Sequence, residues 1–146
     1  MSFPQEPVFL KNAEATFRLG RQIADQLNYG MVIALIGDLG SGKTHLSKGL
    51  VAGLGSDEEV TSPTFNLVHE YVNGRIPVFH FDFFRLESEV EVIQLGWDDY
   101  LDEEGLVVVE WADRFPTLLP AHRTRWWTFD RPSENERVLT ASVRMP

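Results

Sequence analysis

Apolar and polar positions alternate along this chain with two periods. From Asn12 to Leu27 the apolar residues Ala13, Phe17, Ile23, Ala24 and Leu27 fall about four and seven apart, one face of a helix, and Gly30 follows as a stop. Met31 to Ile36 is an unbroken apolar run that leads into glycines. It is short and partly β-branched, which predicts a strand buried on both faces, as in a parallel sheet. Leu46, Leu50, Val51 and Leu54 mark a second helical face, closed by Gly55. Phe65–Val72 and Ile76–Phe81 flank Asn73-Gly74, a pair that favours a tight hairpin turn because both positions accept positive φ. Ser88 and Glu91 form a capping box that opens a short helix, ended by Gly96. Leu106–Val109 is another buried strand, Pro7–Leu10 a short first one, and Arg125–Phe129 with Val138–Val143 a closing hairpin. The order predicts an α/β fold: a mixed sheet, parallel at its core with antiparallel additions, flanked by helices.

Composition narrows the picture. A chain of 146 residues, 43% hydrophobic, is the size of one domain with a real core, so residues 1–146 are read as a single domain. There is no cysteine, which removes disulfides, thiolate metal sites and cysteine nucleophiles, and a cytoplasmic location is the natural expectation. Met1 to Pro7 lacks the features of a signal peptide, and no apolar run approaches the length of a membrane span. The net charge of −9 disfavours broad electrostatic binding to nucleic acid. Ten acidic residues and no Lys or Arg lie between Glu87 and Asp113, whereas the last 24 residues hold five of the thirteen basic ones. Solvated faces explain this pattern; an acidic docking surface for a protein is the sharper alternative.

The densest chemical signal is Gly37-Asp38-Leu39-Gly40-Ser41-Gly42-Lys43-Thr44, a full match to G-x-x-x-x-G-K-[ST] between a buried strand and a helix. Glycines let a backbone wrap with its N–H groups inward around phosphates, and the following helix adds its positive end. Lys43 is the candidate to neutralise the β- and γ-phosphates, and the Thr44 hydroxyl the candidate Mg²⁺ ligand. The fold is therefore read as a P-loop NTPase-type domain with ATP and Mg²⁺ as cofactors.

Such a loop needs a carboxylate near the metal, usually at the end of a neighbouring strand. Glu110 follows Leu106–Val109 and Asp82 follows Val78–Phe81. Glu110 could hold Mg²⁺ through water or orient an attacking water; an ordinary strand-terminal acid is the alternative for either residue. Thr61-Ser62-Pro63-Thr64 stands where nucleotide switches place a sensing hydroxyl, or is a proline turn. His69 and His80 lack paired metal-ligand spacing and read as structural. Trp111, beside Glu110, is either core or part of the site or of a partner surface.

No Asn-Lys-x-Asp is present, which disfavours a guanine-specific GTPase, and no second phosphate loop or long lid segment supports a small-molecule kinase. The succession GDLGSGKTHLSKGL (37–50), TSPTFNLVHEY (61–71), HFDFFRL (80–86), QLGWDDYL (94–101) and VVVEWADRFPTLLP (107–120) resembles the TsaE (YjeE) family over roughly residues 8–143. The resemblance implies ATP rather than GTP and weak hydrolysis in isolation. It implies docking on the TsaD and TsaB proteins, of which TsaD places threonylcarbamoyl on tRNA. By position it gives Lys43 and Thr44 the phosphates and Mg²⁺, Asp82 and Glu110 the acidic roles, Thr64 the switch-like threonine and Trp111 the aromatic neighbour. Segments near Asn12 and Arg131 would flank the base. Phe84 departs from the pattern, where many members carry tyrosine. A self-contained phosphotransferase acting on a small molecule, and an adaptor that binds ATP without using its hydrolysis, stay open as alternatives.

Overall fold

The computed structural model describes residues 3–38 and 40–146. One sheet carries all seven described strands: β1 (Val8–Leu10), β2 (Val32–Ile36), β3 (Val68–Tyr71), β4 (Val78–Asp82), β5 (Leu106–Glu110), β6 (Thr124–Asp130) and β7 (Arg137–Ser142). Their spatial order is β1-β7-β6-β2-β5-β4-β3. The four central strands, β6, β2, β5 and β4, are parallel, and β7, β1 and β3 extend the sheet antiparallel. This is the mixed α/β sheet that the strand pattern predicts.

Side-chain alternation on the buried strands divides the core between the two faces. Ile33 and Leu35 of β2, Val108 of β5 and Trp127 of β6 meet α1 (Ala13–Ile23) and α2 (Lys43–Gly53). Val32, Ala34, Val107, Val109 and Trp126 face the other way, toward α3 (Glu89–Gln94) and α4 (Trp97–Asp102). Asn12 caps α1 by accepting from the Ala15 N–H at 2.8 Å. The helical stretch expected to reach Leu27 tightens into a 3₁₀ turn at Ala24–Gln26. No described helix is long and apolar enough to cross a membrane.

Two local readings need correction. β3 and β4 pair antiparallel as expected, but neither Asn73 nor Gly74 takes the positive φ of a two-residue turn. The connection is longer and is tied to the segment after α2. The Arg75 N–H donates to the Leu54 carbonyl at 2.7 Å, Asn73 bonds Ser56 and Asp57, and Glu58 accepts from the Val72 and Asn73 N–H groups. At the capping box, Ser88 accepts from the Glu91 N–H, but the Glu91 carboxylate reaches one residue further back, to the Glu87 N–H at 2.9 Å. Gly96 ends α3 as expected, and in its left-handed conformation it also opens α4, whose apolar residues Trp97, Tyr100 and Leu101 share one helical face.

Helices α1 and α2 cross with their backbones almost touching. A Cβ on Gly20 would come within 2.6 Å of the Leu46 carbonyl oxygen and 2.9 Å of the Gly49 Cα; one on Gly49 would strike the Phe17 carbonyl. Glycine costs a helix about 1 kcal/mol relative to alanine, and here that cost is accepted for close approach. Gly49→Ala is therefore expected to destabilise. Overpacking costs about 1–3 kcal/mol, and backbone cannot swing aside as a side chain can. Urea unfolding reads the difference, and a variant as stable as the parent would contradict this crossing.

Candidate functional site

Parallel pairing brings the ends of three strands to one level. Leu35 of β2 lies opposite Glu110 of β5, and Glu110 lies opposite Asp82 of β4. β2 then runs through Gly37 into the loop that opens α2. Gly40 and Gly42 adopt φ of 74° and 108°, left-handed values that admit glycine readily and other residues poorly. Gly42 is the N-cap of α2, and no side chain caps that helix start. Its first N–H groups lie at the positive end of the helix, an arrangement suited to an anion. Leu39, also assigned to this loop from the sequence, lies outside the described residues.

Lys43 is buried, and its Nζ donates to the carbonyls of Gly37 and Asp38 and to Ser41 Oγ, the latter two at 2.9 and 3.3 Å. Burial lowers its pKa; Glu110, Asp82, Asp38 and Asp113 pull the other way by favouring the charged form. The ammonium also lies 4.3 Å from the centre of the Trp111 ring, within cation–π range. Trp111 reaches that place with φ of 58°, an uncommon value for a bulky residue, and the Phe84 ring packs against it with centroids 4.7 Å apart. Here Phe84 contributes an aromatic surface.

Both acids are buried to within 3% of full coverage. The Thr44 hydroxyl stands 3.4 Å from each oxygen of Glu110, and His80 Nε2 donates to Glu110 Oε2 at 2.6 Å. Asp82 accepts from the Thr64 hydroxyl at 2.8 Å, from Ser62 at 3.4 Å and from the Phe84 N–H at 2.8 Å. The segment carrying Ser62 and Thr64 is clipped to the sheet: the Asp82 N–H donates to the Leu67 carbonyl, and Tyr71 bonds both Thr61 backbone groups. A cavity of about 410 Å³ opens among Gly40–Thr44, Ser62, Thr64, Asp82, Glu110 and Trp111.

The structure thus gathers Lys43, Thr44, Asp82, Glu110, Thr64 and Trp111 around one space. That space continues past Ala13 and Thr16 of α1 to Glu134 and Asn135 in the β6–β7 connection. Two participants escape the sequence reading. Arg137 on β7 donates to the Ser41 carbonyl at 3.0 Å and the Gly40 carbonyl at 2.7 Å, so it grips the loop, and it also lines the cavity. No local pattern signals a contact across so many residues. His80, read as structural, touches Glu110, and the strand's period of two could have disclosed it, since His80 shares a face with Asp82.

The family model described as "Threonylcarbamoyl adenosine biosynthesis protein TsaE" matches residues 10–139. The tRNA threonylcarbamoyladenosine biosynthesis protein TsaE of Nostoc sp. (strain PCC 7120) is 44% identical over 113 residues, 75% of this chain and 69% of that protein. The protein of the same name from Bacillus subtilis (strain 168) is 39% identical over 129 residues, 88% of this chain and 80% of that one. The crystal structure of Bacillus subtilis YdiB matches with a TM-score of 0.80 at 30% identity, covering 99% of this chain and 89% of its own. With the family model spanning most of the sequence and relatives of this identity along it, the chain belongs to the TsaE family.

Proposed function

We propose that this protein binds ATP with Mg²⁺ at the Gly37–Thr44 loop, hydrolyses it slowly by itself, and serves the TsaD and TsaB proteins in the threonylcarbamoyladenosine modification of tRNA. One observation carries the reading: an uncapped helix start, a buried lysine and two buried strand-end carboxylates converge on one cavity. The tRNA assignment comes from the family, whose relatives carry that process in their names.

Charge supports a metal-bound polyphosphate. One buried cation faces two buried carboxylates, and phosphates would add more negative charge to a space poorly screened by water. The donors fit Mg²⁺, a hard ion that takes one or two carboxylates and completes its shell with phosphate and water. Among the described residues no group of three or more His, Cys, Asp or Glu side chains forms a self-sufficient metal site. Thr44, Asp82 and Glu110 would hold the ion, which when bound neutralises charge on the phosphates. Lys43 contributes a fixed positive charge, and the loop orients its amides. Glu110 also stands where a carboxylate can position an attacking water.

Lys43→Ala should weaken ATP binding by about 10- to 100-fold, the worth of a charge-assisted contact. Calorimetry on the folded variant measures it, and wild-type affinity would remove the phosphate-site reading.

Turnover by the isolated chain should be slow, since a missing charge supplied in trans can be worth about 10³–10⁵ in rate. Many turnovers per second from pure protein would contradict this. Phosphate transfer to any member of a metabolite panel would favour a small-molecule kinase instead.

Glu110→Gln preserves shape and loses charge. ATP affinity should survive within a few-fold while hydrolysis measured with TsaD and TsaB falls much further, the mark of an interaction used in the transition state. Asp82→Asn should in addition weaken the Mg²⁺-dependent part of binding. Unchanged turnover in Glu110→Gln would leave that residue as a strand-end acid.

A further inference from the structure

Strand β4 points His80 and Asp82 to the same face as Val108 and Glu110 of β5, while Phe79 and Phe81 fill the opposite face. His80 is 1% exposed, and its ring sits one register step below the acid pair. Nε2 donates to Glu110 Oε2 at 2.6 Å; Nδ1, also buried, has no hydrogen-bond partner among the described residues. The neighbouring ring of Tyr71, 6.4 Å away, offers a tilted face rather than a polar atom. Among the described residues the imidazole therefore has one polar attachment, the carboxylate that stands 3.4 Å from Thr44.

A buried imidazole with an unpartnered nitrogen is a costly way to fill space, and an aliphatic side chain of similar size fills it without that cost. The single bond it makes fixes a group that otherwise has freedom. A glutamate carboxylate turns on three side-chain torsions, and its outer torsion is broad. With one oxygen held by His80, the carboxylate is aimed toward Thr44 and the cavity.

We propose that His80 is a positioning residue for Glu110, holding its carboxylate in the orientation used in ATP hydrolysis. The inference rests on the ATPase reading above. Loss of an outer partner of this kind commonly costs about 10- to 100-fold in activity or metal affinity. His80→Leu removes the donor and keeps the bulk. His80→Gln places an amide N–H close to where Nε2 stands, so it keeps the bond.

The test compares both variants with wild type and with Glu110→Gln. It reads ATP affinity with Mg²⁺ by calorimetry, turnover with TsaD and TsaB, and thermal unfolding. His80→Leu should remain folded and lose about 10- to 100-fold in kcat, with KM little changed, and His80→Gln should recover most of the loss. His80→Leu added to Glu110→Gln should cost nothing further, because the two act as a unit. Wild-type kcat in His80→Leu, or full additivity with Glu110→Gln, overturns the proposal. Wild-type protein that neither binds nor hydrolyses ATP overturns the underlying ATPase reading instead. A nucleotide-free readout covers the case in which His80→Leu does not fold. Imidazole nitrogen NMR should show a protonated, hydrogen-bonded Nε2 that changes in Glu110→Gln. A ring signal identical in the two proteins refutes the bond.

Discussion

Parallel pairing of β2 with β5, and of β5 with β4, sets the level at which the buried charge of this protein is placed. Parallel strands end together, and the backbone beyond them is released at one edge of the sheet. Because Leu35, Glu110 and Asp82 share that level, the loop leaving β2 meets two carboxylates without any long side chain having to search for them. A register shift of one residue in β5 would turn Glu110 to the opposite face, among Val107 and Val109, and leave a carboxylate in an apolar layer. The apolar residues that fix register are thereby also the residues that fix the site.

Around that level the polar groups hold one another. Lys43 donates to the loop's own carbonyls, Arg137 donates to two more carbonyls of the same loop, and Thr64 and Ser62 donate to Asp82. Buried polar groups are costly unless satisfied, and these side chains satisfy one another or the loop's carbonyls, whereas the His80 Nδ1 beside them is left without a partner among the described residues. The Trp111 ring lies against the Lys43 ammonium, and Phe84 packs against that ring.

The legible parts of the sequence are those whose physics is local. β2 and β5 announce themselves as apolar runs, and the loop announces itself because its backbone requires glycine at fixed intervals. Glu110 and Asp82 could be named from their place at strand ends. The parts that escaped depend on distance. Asn73-Gly74 has the composition of a tight turn, yet its backbone is bound by Leu54 and Glu58 into another shape. Helix α4 is short, and its start at Gly96 carries the same residue that stops α3. Arg137 reaches the loop from the far end of the chain, and nothing in its neighbours marks it for that contact.

Both edges of the sheet are closed by very short strands: β1 has three residues and β3 has four. An edge strand is a template on which another chain can add, and the hazard grows with its length. Stacked assemblies are built from segments of about six or seven residues with strong strand preference. Neither edge offers such a length. The long apolar strands, which would be the dangerous ones if exposed, are shut inside the sheet. The same order that gathers the catalytic candidates at one end thus keeps the molecule from growing sideways into a fibre.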